Sequence, residues 1–186
     1  LWVKNHGVPL KSKIKVFNDK IFLINQDNRL LSFNIKDGSL VWGIRSVSSF
    51  IKSQYFLSLA VSKEGDIVAI TSSGDLQKVN SVNGRVYWSL NTLGSLMANI
   101  SDFFKTSDIV LDSNNIIFSS NQQIFSINLD NGFTNWKTDL SSAATPIIDG
   151  KNVFVVTDNG FFVIIDKDNG KIISSTNILK ILKERK

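Results

Sequence analysis

Asp37-Gly38-Ser39-Leu40-Val41-Trp42 is the stretch that decides the fold, because the chain repeats it. It returns as Asn83-Gly84-Arg85-Val86-Tyr87-Trp88 and again as Asn131-Gly132-Phe133-Thr134-Asn135-Trp136. A fourth copy, Asn169-Gly170-Lys171-Ile172-Ile173-Ser174, keeps the turn and has lost the indole. Leu1-Trp2 reads as the tail of a further copy, so all 4 tryptophans fall in one slot. Spacings of 40, 46, 48 and 38 residues between slots belong to a repeat architecture.

Upstream of the glycine the copies align without gaps. Ile24, Ile70, Phe118 and Val156 share a column, as do Leu30, Leu76, Ile124 and Phe162, and then Asn34, Asn80, Asn128 and Asp166. Downstream of the tryptophan slot the lengths vary, so each repeat has a rigid half and an elastic half. Ile21–Ile24, Ile67–Ile70, Ile116–Phe118 and Val153–Val156 are short β-branched apolar runs, as expected of strands buried on both faces. Turn residues follow each one, and a second strand carries Phe33, Val79, Ile127 and Ile165. The Asx-Gly turn then reverses the chain into the strand that holds tryptophan, with glycine supplying a positive φ. A further strand fits the elastic half, for example within Leu57–Val61 or Thr145–Ile148. Four strands every 40-odd residues predict an all-β chain: a β-propeller of four-stranded antiparallel blades, about four of them here.

Asx-x-x-Asx-Gly-x-x-x-Trp, repeated, resembles the tryptophan-docking repeat of the PQQ-like β-propellers over essentially the whole chain. Within that group the chain is most similar to the propeller lipoproteins of the outer-membrane β-barrel assembly machinery. The resemblance implies that each indole packs over the turn of a neighbouring blade, with Gly38, Trp42, Gly84, Trp88, Gly132, Trp136 and Gly170 as the structural repeat. Ser174 departs from it, and Ile172 or Ile173 is expected to fill that joint. Because such rings usually hold about seven or eight blades, residues 1–186 are expected to be one propeller segment of a longer ring, with 175–186 a connector or tail. A complete four-bladed ring is the alternative. An excised segment is expected to expose apolar blade faces and to self-associate.

Composition narrows the function. The formal charge is +5, of which Lys180, Lys183, Arg185 and Lys186 against Glu184 supply +3. No basic stripe interleaved with stacking aromatics remains, so no nucleic-acid partner is expected. The absence of cysteine rules out disulfides and thiolate metal sites. His6 is the single histidine, and no Gly-x-Ser-x-Gly elbow accompanies it, so a hydrolytic triad has no basis. Asp166-Lys167-Asp168-Asn169-Gly170 hints at a calcium loop, but the glycine comes early and no Glu closes it. The PQQ-like group includes quinone-dependent dehydrogenases with a calcium site, and one branch carries adjacent cysteines. This chain has none, and its acidic residues fall in turns. No enzyme activity, cofactor or metal is expected.

A binding scaffold is what remains. The two longest elastic segments are consecutive, running from Gly43 to Ala69 and from Ser89 to Ile117. They carry Phe50, Ile51 and Lys52 in the first, and Asp102, Phe103, Phe104 and Asp108 in the second. Aromatic and aliphatic anchors ringed by charge have the composition of an interface core and rim. The alternative is that these aromatics pack down on the blades. In the assembly lipoproteins the resemblance implies a partner, the periplasmic domain of a β-barrel assembly subunit. It would bind an apolar-and-arginine loop where Ile51 and Lys52 fall, lysine here standing in place of the arginine, and acidic residues near Asp102 and Asp108. It further implies a location on the periplasmic side of the outer membrane, in a lipid-anchored parent with no membrane span in this segment. A dehydrogenase fragment and a sensor or ligand-binding propeller are the other readings.

Overall fold

Two Asx residues and a glycine make each repeat turn back on itself. In the first repeat Asn34 Oδ1 accepts from Lys36 N–H at 2.9 Å, and Asp37 Oδ1 accepts from Ser39 N–H at 2.9 Å. Gly38 N–H donates to Asn34 C=O, and Asn34 N–H to Ser39 C=O, which closes the loop. The same bonds recur around Asn80 and Asn83, Asn128 and Asn131, and Asp166 and Asn169. Each turn therefore satisfies these backbone donors within itself, partly through its Asx side chains and partly through its own carbonyls.

The computed structural model describes residues 2–45, 55–93 and 105–183. The chain falls into two compact units, Leu1–Lys105 and Thr106–Lys186. In the first unit one sheet holds β1 (Lys15–Phe17), β2 (Lys20–Ile24), β3 (Arg29–Asn34) and β4 (Leu40–Arg45). A second holds β5 (Leu59–Val61), β6 (Ile67–Ile70), β7 (Asp75–Val79) and β8 (Val86–Asn91). The second unit has a sheet of β9 (Val110–Asp112), β10 (Asn115–Ser120), β11 (Gln123–Asn128) and β12 (Thr134–Asp139). Its other sheet is β13 (Ile147–Asp149), β14 (Asn152–Val156), β15 (Phe161–Asp166) and β16 (Ile172–Asn177), followed by helix α1 (Ile178–Lys183). All pairings between named strands are antiparallel and in chain order, the meander expected of a propeller blade. The pairing shifts register at one equivalent place in all four sheets: after Ser32, Lys78, Ser126 and Ile164. Such bulges sharpen twist ahead of the Asx-Gly turn.

The indoles join sheet to sheet within each unit. Trp42 Nε1 donates to Ser81 C=O at 3.1 Å, and its ring lies where a Cβ on Gly84 would stand. Trp136 does the same to Lys167 C=O at 2.7 Å and to Gly170. Trp2 Nε1 donates to Ile35 C=O at 2.9 Å, its ring over Gly38. In each case the acceptor lies three residues before the glycine, so the three indoles use one geometry. Trp42 and Trp136 are 9% and 7% exposed. Trp88, the last indole of the first unit, is half-buried. In the second unit Trp136 joins Ile117 and Ile124 of one sheet to Val153, Val155, Val163 and Ile165 of the next.

One sequence expectation needs correction. Phe118 does not occupy the place of Ile24. Ile24 pairs with Leu30, whereas it is Ser119 that pairs with Ile124, and Phe118 pairs with Phe125 on the opposite face. The cause is a tighter hairpin: Ser120 pairs with Gln123 across Asn121-Gln122, with Asn121 at φ 53°. One residue is lost from the turn, and a one-residue slip reverses every side chain. Ile172 and Ile173, beside the serine that stands in the indole slot, are exposed on β16. No sheet of this unit covers that strand as β14 and β15 cover Trp136. The tail meanwhile forms a short helix, with Asn177 Oδ1 capping Lys180 N–H at 3.0 Å. Leu179 packs over Gly160.

Candidate functional site

The strands decide where the long segments emerge. β4 ends at Arg45 and β5 begins at Leu59, while β8 ends at Asn91 and β9 begins at Val110. Both long connections therefore leave a fourth strand and enter the first strand of the following sheet. The matching connection in the second unit, 140–146, is short. Phe50, Ile51, Lys52, Asp102 and Phe103 lie outside the described residues. Asp108 is described: it is half-buried beside the buried Ser107, and Oδ2 accepts from Thr145 Oγ1 at 3.3 Å. That bond runs from the third sheet's lead-in to the fourth's, so Asp108 has a structural task whatever else it does.

Three of the four described sheets are entered through a segment pinned by the hydroxyl of a buried serine. Ser12 Oγ accepts from Ile24 N–H at 2.8 Å, and Ser107 Oγ accepts from Ser119 N–H at 2.8 Å. Ser142 Oγ donates to Val156 C=O at 2.7 Å. In the first unit the β2–β3 turn reaches the next sheet through Asn28, whose Oδ1 accepts from Ser72 N–H at 3.1 Å and Ser72 Oγ at 2.7 Å. Asn28 holds φ 57°, a left-handed conformation that Asn tolerates. On the opposite rim Phe17 lies over Gly65, and in the second unit Lys167 Nζ pairs with Asp112 Oδ2 at 2.7 Å. These links give the rims a firm base for whatever the loops present. Repetition of sequence could reveal the tryptophans. It could not reveal Asn28–Ser72 or Phe17–Gly65, whose partners do not recur as a motif.

The acid–base chemistry is that of turns. Asp37 is held below the ordinary aspartate range by the Ser39 hydroxyl at 2.7 Å and then by the Ser39 N–H. Glu64 is lowered by its own backbone N–H and then by the Ser62 hydroxyl. Neither faces a second carboxyl or a nucleophile in a shared pocket. A shallow, open cleft of about 350 Å³ in the second unit is lined by Asn115, Asn128, Asn135, Lys167 and Asp168. Its groups are turned inward: Asn135 Nδ2 donates to Asn115 Oδ1 at 2.9 Å, and Lys167 is engaged by Asp112. Among the described residues no group of three or more His, Cys, Asp or Glu side chains is placed to hold a metal ion. No helix among the described residues is long and apolar enough to cross a membrane.

Antiparallel four-stranded sheets, paired within each unit by an indole seated on an Asx-Gly turn, define the blades of a tryptophan-docked β-propeller. The chain belongs to the family of the outer membrane protein assembly factor BamB, whose model matches residues 1–176. It is 28% identical over 183 residues to BamB of Shewanella oneidensis, a match covering 91% of this chain and 44% of that protein. The crystal structure of BamB from Moraxella catarrhalis superposes with a TM-score of 0.80 at 15% identity, covering 95% of this chain and 54% of that one. A quinohemoprotein alcohol dehydrogenase from Comamonas testosteroni superposes with a TM-score of 0.72 at 10% identity, covering 91% and 35%. At such identities the structural likenesses speak for the fold alone. The chain spans about half the length of the BamB relatives it matches.

Proposed function

We propose that this chain is a non-catalytic binding scaffold in outer-membrane β-barrel protein assembly. It works on the periplasmic side of the outer membrane within a longer, lipid-anchored parent. Its partner is the periplasmic domain of a β-barrel assembly subunit, held by Phe50, Ile51, Lys52, Asp102, Phe103 and Asp108. The observation that carries this reading is the family match over residues 1–176. Supporting it, both long connections issue from sheets held together by docked indoles and buried side-chain bonds. A rigid seat of this kind lets loops bind without a large ordering cost. Lysine at position 52 offers a point charge and no bidentate fork, so its contact with a carboxylate tolerates varied geometry. Co-purification of the assembly subunit with the full chain, compared with Ile51→Ala/Lys52→Glu and with Asp102→Lys, tests the assignment. Each variant is expected to lose the partner while keeping its melting transition. Undiminished recovery with both variants would place the site elsewhere.

A further inference from the structure

The fourth sheet has one face covered and one face open. Side chains alternate along a strand, and residues directly opposite across an antiparallel pair share a face. Val153, Val155, Val163 and Ile165 lie on one side, at most 1% exposed and packed with Trp136. On the other side the pairing places Ile147, Phe154, Ile164 and Ser174 in one row across β13, β14, β15 and β16. Val156, Phe162 and Thr176 form the next row. The rows meet where Phe154 and Phe162 stack, with ring centroids 6.0 Å apart and planes inclined by 18°. Ile147 is 65% and Val156 42% exposed, Ser174 and Thr176 are exposed, and Phe154, Phe162 and Ile164 are half-buried. Neither row carries a charge; Asp149, Asn152 and Asp166, in the row beyond, mark the polar end of this face.

Loss of the indole goes with a change on the neighbouring strand. In the first and third sheets the residue opposite the docked tryptophan is a buried serine, Ser32 against Trp42 and Ser126 against Trp136. In the fourth sheet the sizes are exchanged, with Ile164 on the third strand against Ser174 on the outer one. Bulk thus stands one strand further in, with a low place beside it. We infer that this open face is a docking surface for a second copy of the chain, packed face to face about a two-fold axis. Two observations argue for this occupant. A two-fold contact sets a patch against itself, so each bulky side chain must find its hollow within the same patch. Ile164 and Ser174 supply such a pair: with the axis along the strands and between the two residues, Ile164 of each copy lies over Ser174 of the other. The two rows are also uncharged, so they meet without like-charge repulsion, while Phe154, Phe162 and Val156 leave water in both copies. The inference stands independently of the scaffold reading above.

The test is sedimentation equilibrium of the full chain over a wide concentration range. A monomer–dimer equilibrium is expected, with a limiting mass of twice the monomer. Val156→Lys and Ile147→Lys each replace an exposed side chain, so the monomer should melt as before. Each change enters a two-fold contact twice, and dimerisation should weaken about a hundredfold or more, because an unpaired charge is buried on both sides. Phe133→Ser, at an exposed site on another sheet, should leave the dimer unchanged. Ser174→Trp distinguishes two modes of contact. It fills the hollow, so the dimer should weaken about tenfold or more. Stronger association of Ser174→Trp, with masses beyond the dimer, would overturn the inference, since the face would then seat head to tail on another copy's Asx-Gly turn. A monomer at every concentration would overturn it too and assign the face to a different partner, as would undiminished dimerisation of both lysine variants.

Discussion

Gly84 and Gly170 lack a side chain for two physical reasons, and Gly150 for only one. All three hold a positive φ: 76°, 74° and 56°. At Gly84 and Gly170 an added Cβ would also stand 2.9 and 2.7 Å from an indole carbon, whereas at Gly150 it would meet nothing within 4 Å. The left-handed backbone alone costs an L-residue about 1–2 kcal/mol. Gly150→Ala is therefore expected to lose about 1 kcal/mol in urea denaturation, and Gly84→Ala or Gly170→Ala about 2–4 kcal/mol. Equal losses at all three would show that the indole seat yields freely. Of these reasons the sequence displays the first at once, since Asx-Gly names a turn. The second appears only through the recurrence of tryptophan four residues on.

At the scale of the element, the β2–β3 turn tests how sheets are joined away from the tryptophans. Asn28→Gly keeps the left-handed backbone and withdraws the acceptor of both bonds to Ser72, in a buried site. The expected loss is about 1–3 kcal/mol, the usual cost of disrupting buried hydrogen bonds, read as a lowered urea midpoint at unchanged slope. No change would mean that this turn is not part of what holds the two sheets together. Strands were legible here because β-branched runs alternate with turn residues, and β2, β6 and β14 fall where those runs lie. The β10–β11 hairpin was not, because alignment on the glycine hides a residue lost from the turn upstream. Phe118 and Ser119 then exchange faces although no column looks disturbed. Helix α1 is a similar case: six residues are too few for periodicity to speak, and the Asn177 cap with Leu179 over Gly160 carries it.

For the whole molecule, exposed apolar side chains are the feature with a solution consequence. Ile147, Val156, Ile172 and Ile173 stand exposed on the fourth sheet, on a chain whose relatives are about twice as long. Patches of this kind associate, so light scattering on the chain by itself should give a mass that rises with concentration. A monodisperse monomer across that range would contradict this expectation. Architecture was readable from residues 37–42 and their copies because a repeat states one physical solution several times. The proposed binding surface was less so, since residues such as Ile51 and Asp102 lie outside the columns that recur.

The proposed function requires this propeller segment to bind the periplasmic domain of a β-barrel assembly subunit through its two long connections. A calorimetric titration of that domain into the full chain measures it directly. The wild type is expected to give a saturable isotherm, weakened about thirtyfold by Ile51→Ala/Lys52→Glu and by Asp102→Lys, as loss of an interface hot spot of about 2 kcal/mol requires. Absence of binding by the wild-type chain, or equal isotherms for all three proteins, would contradict it.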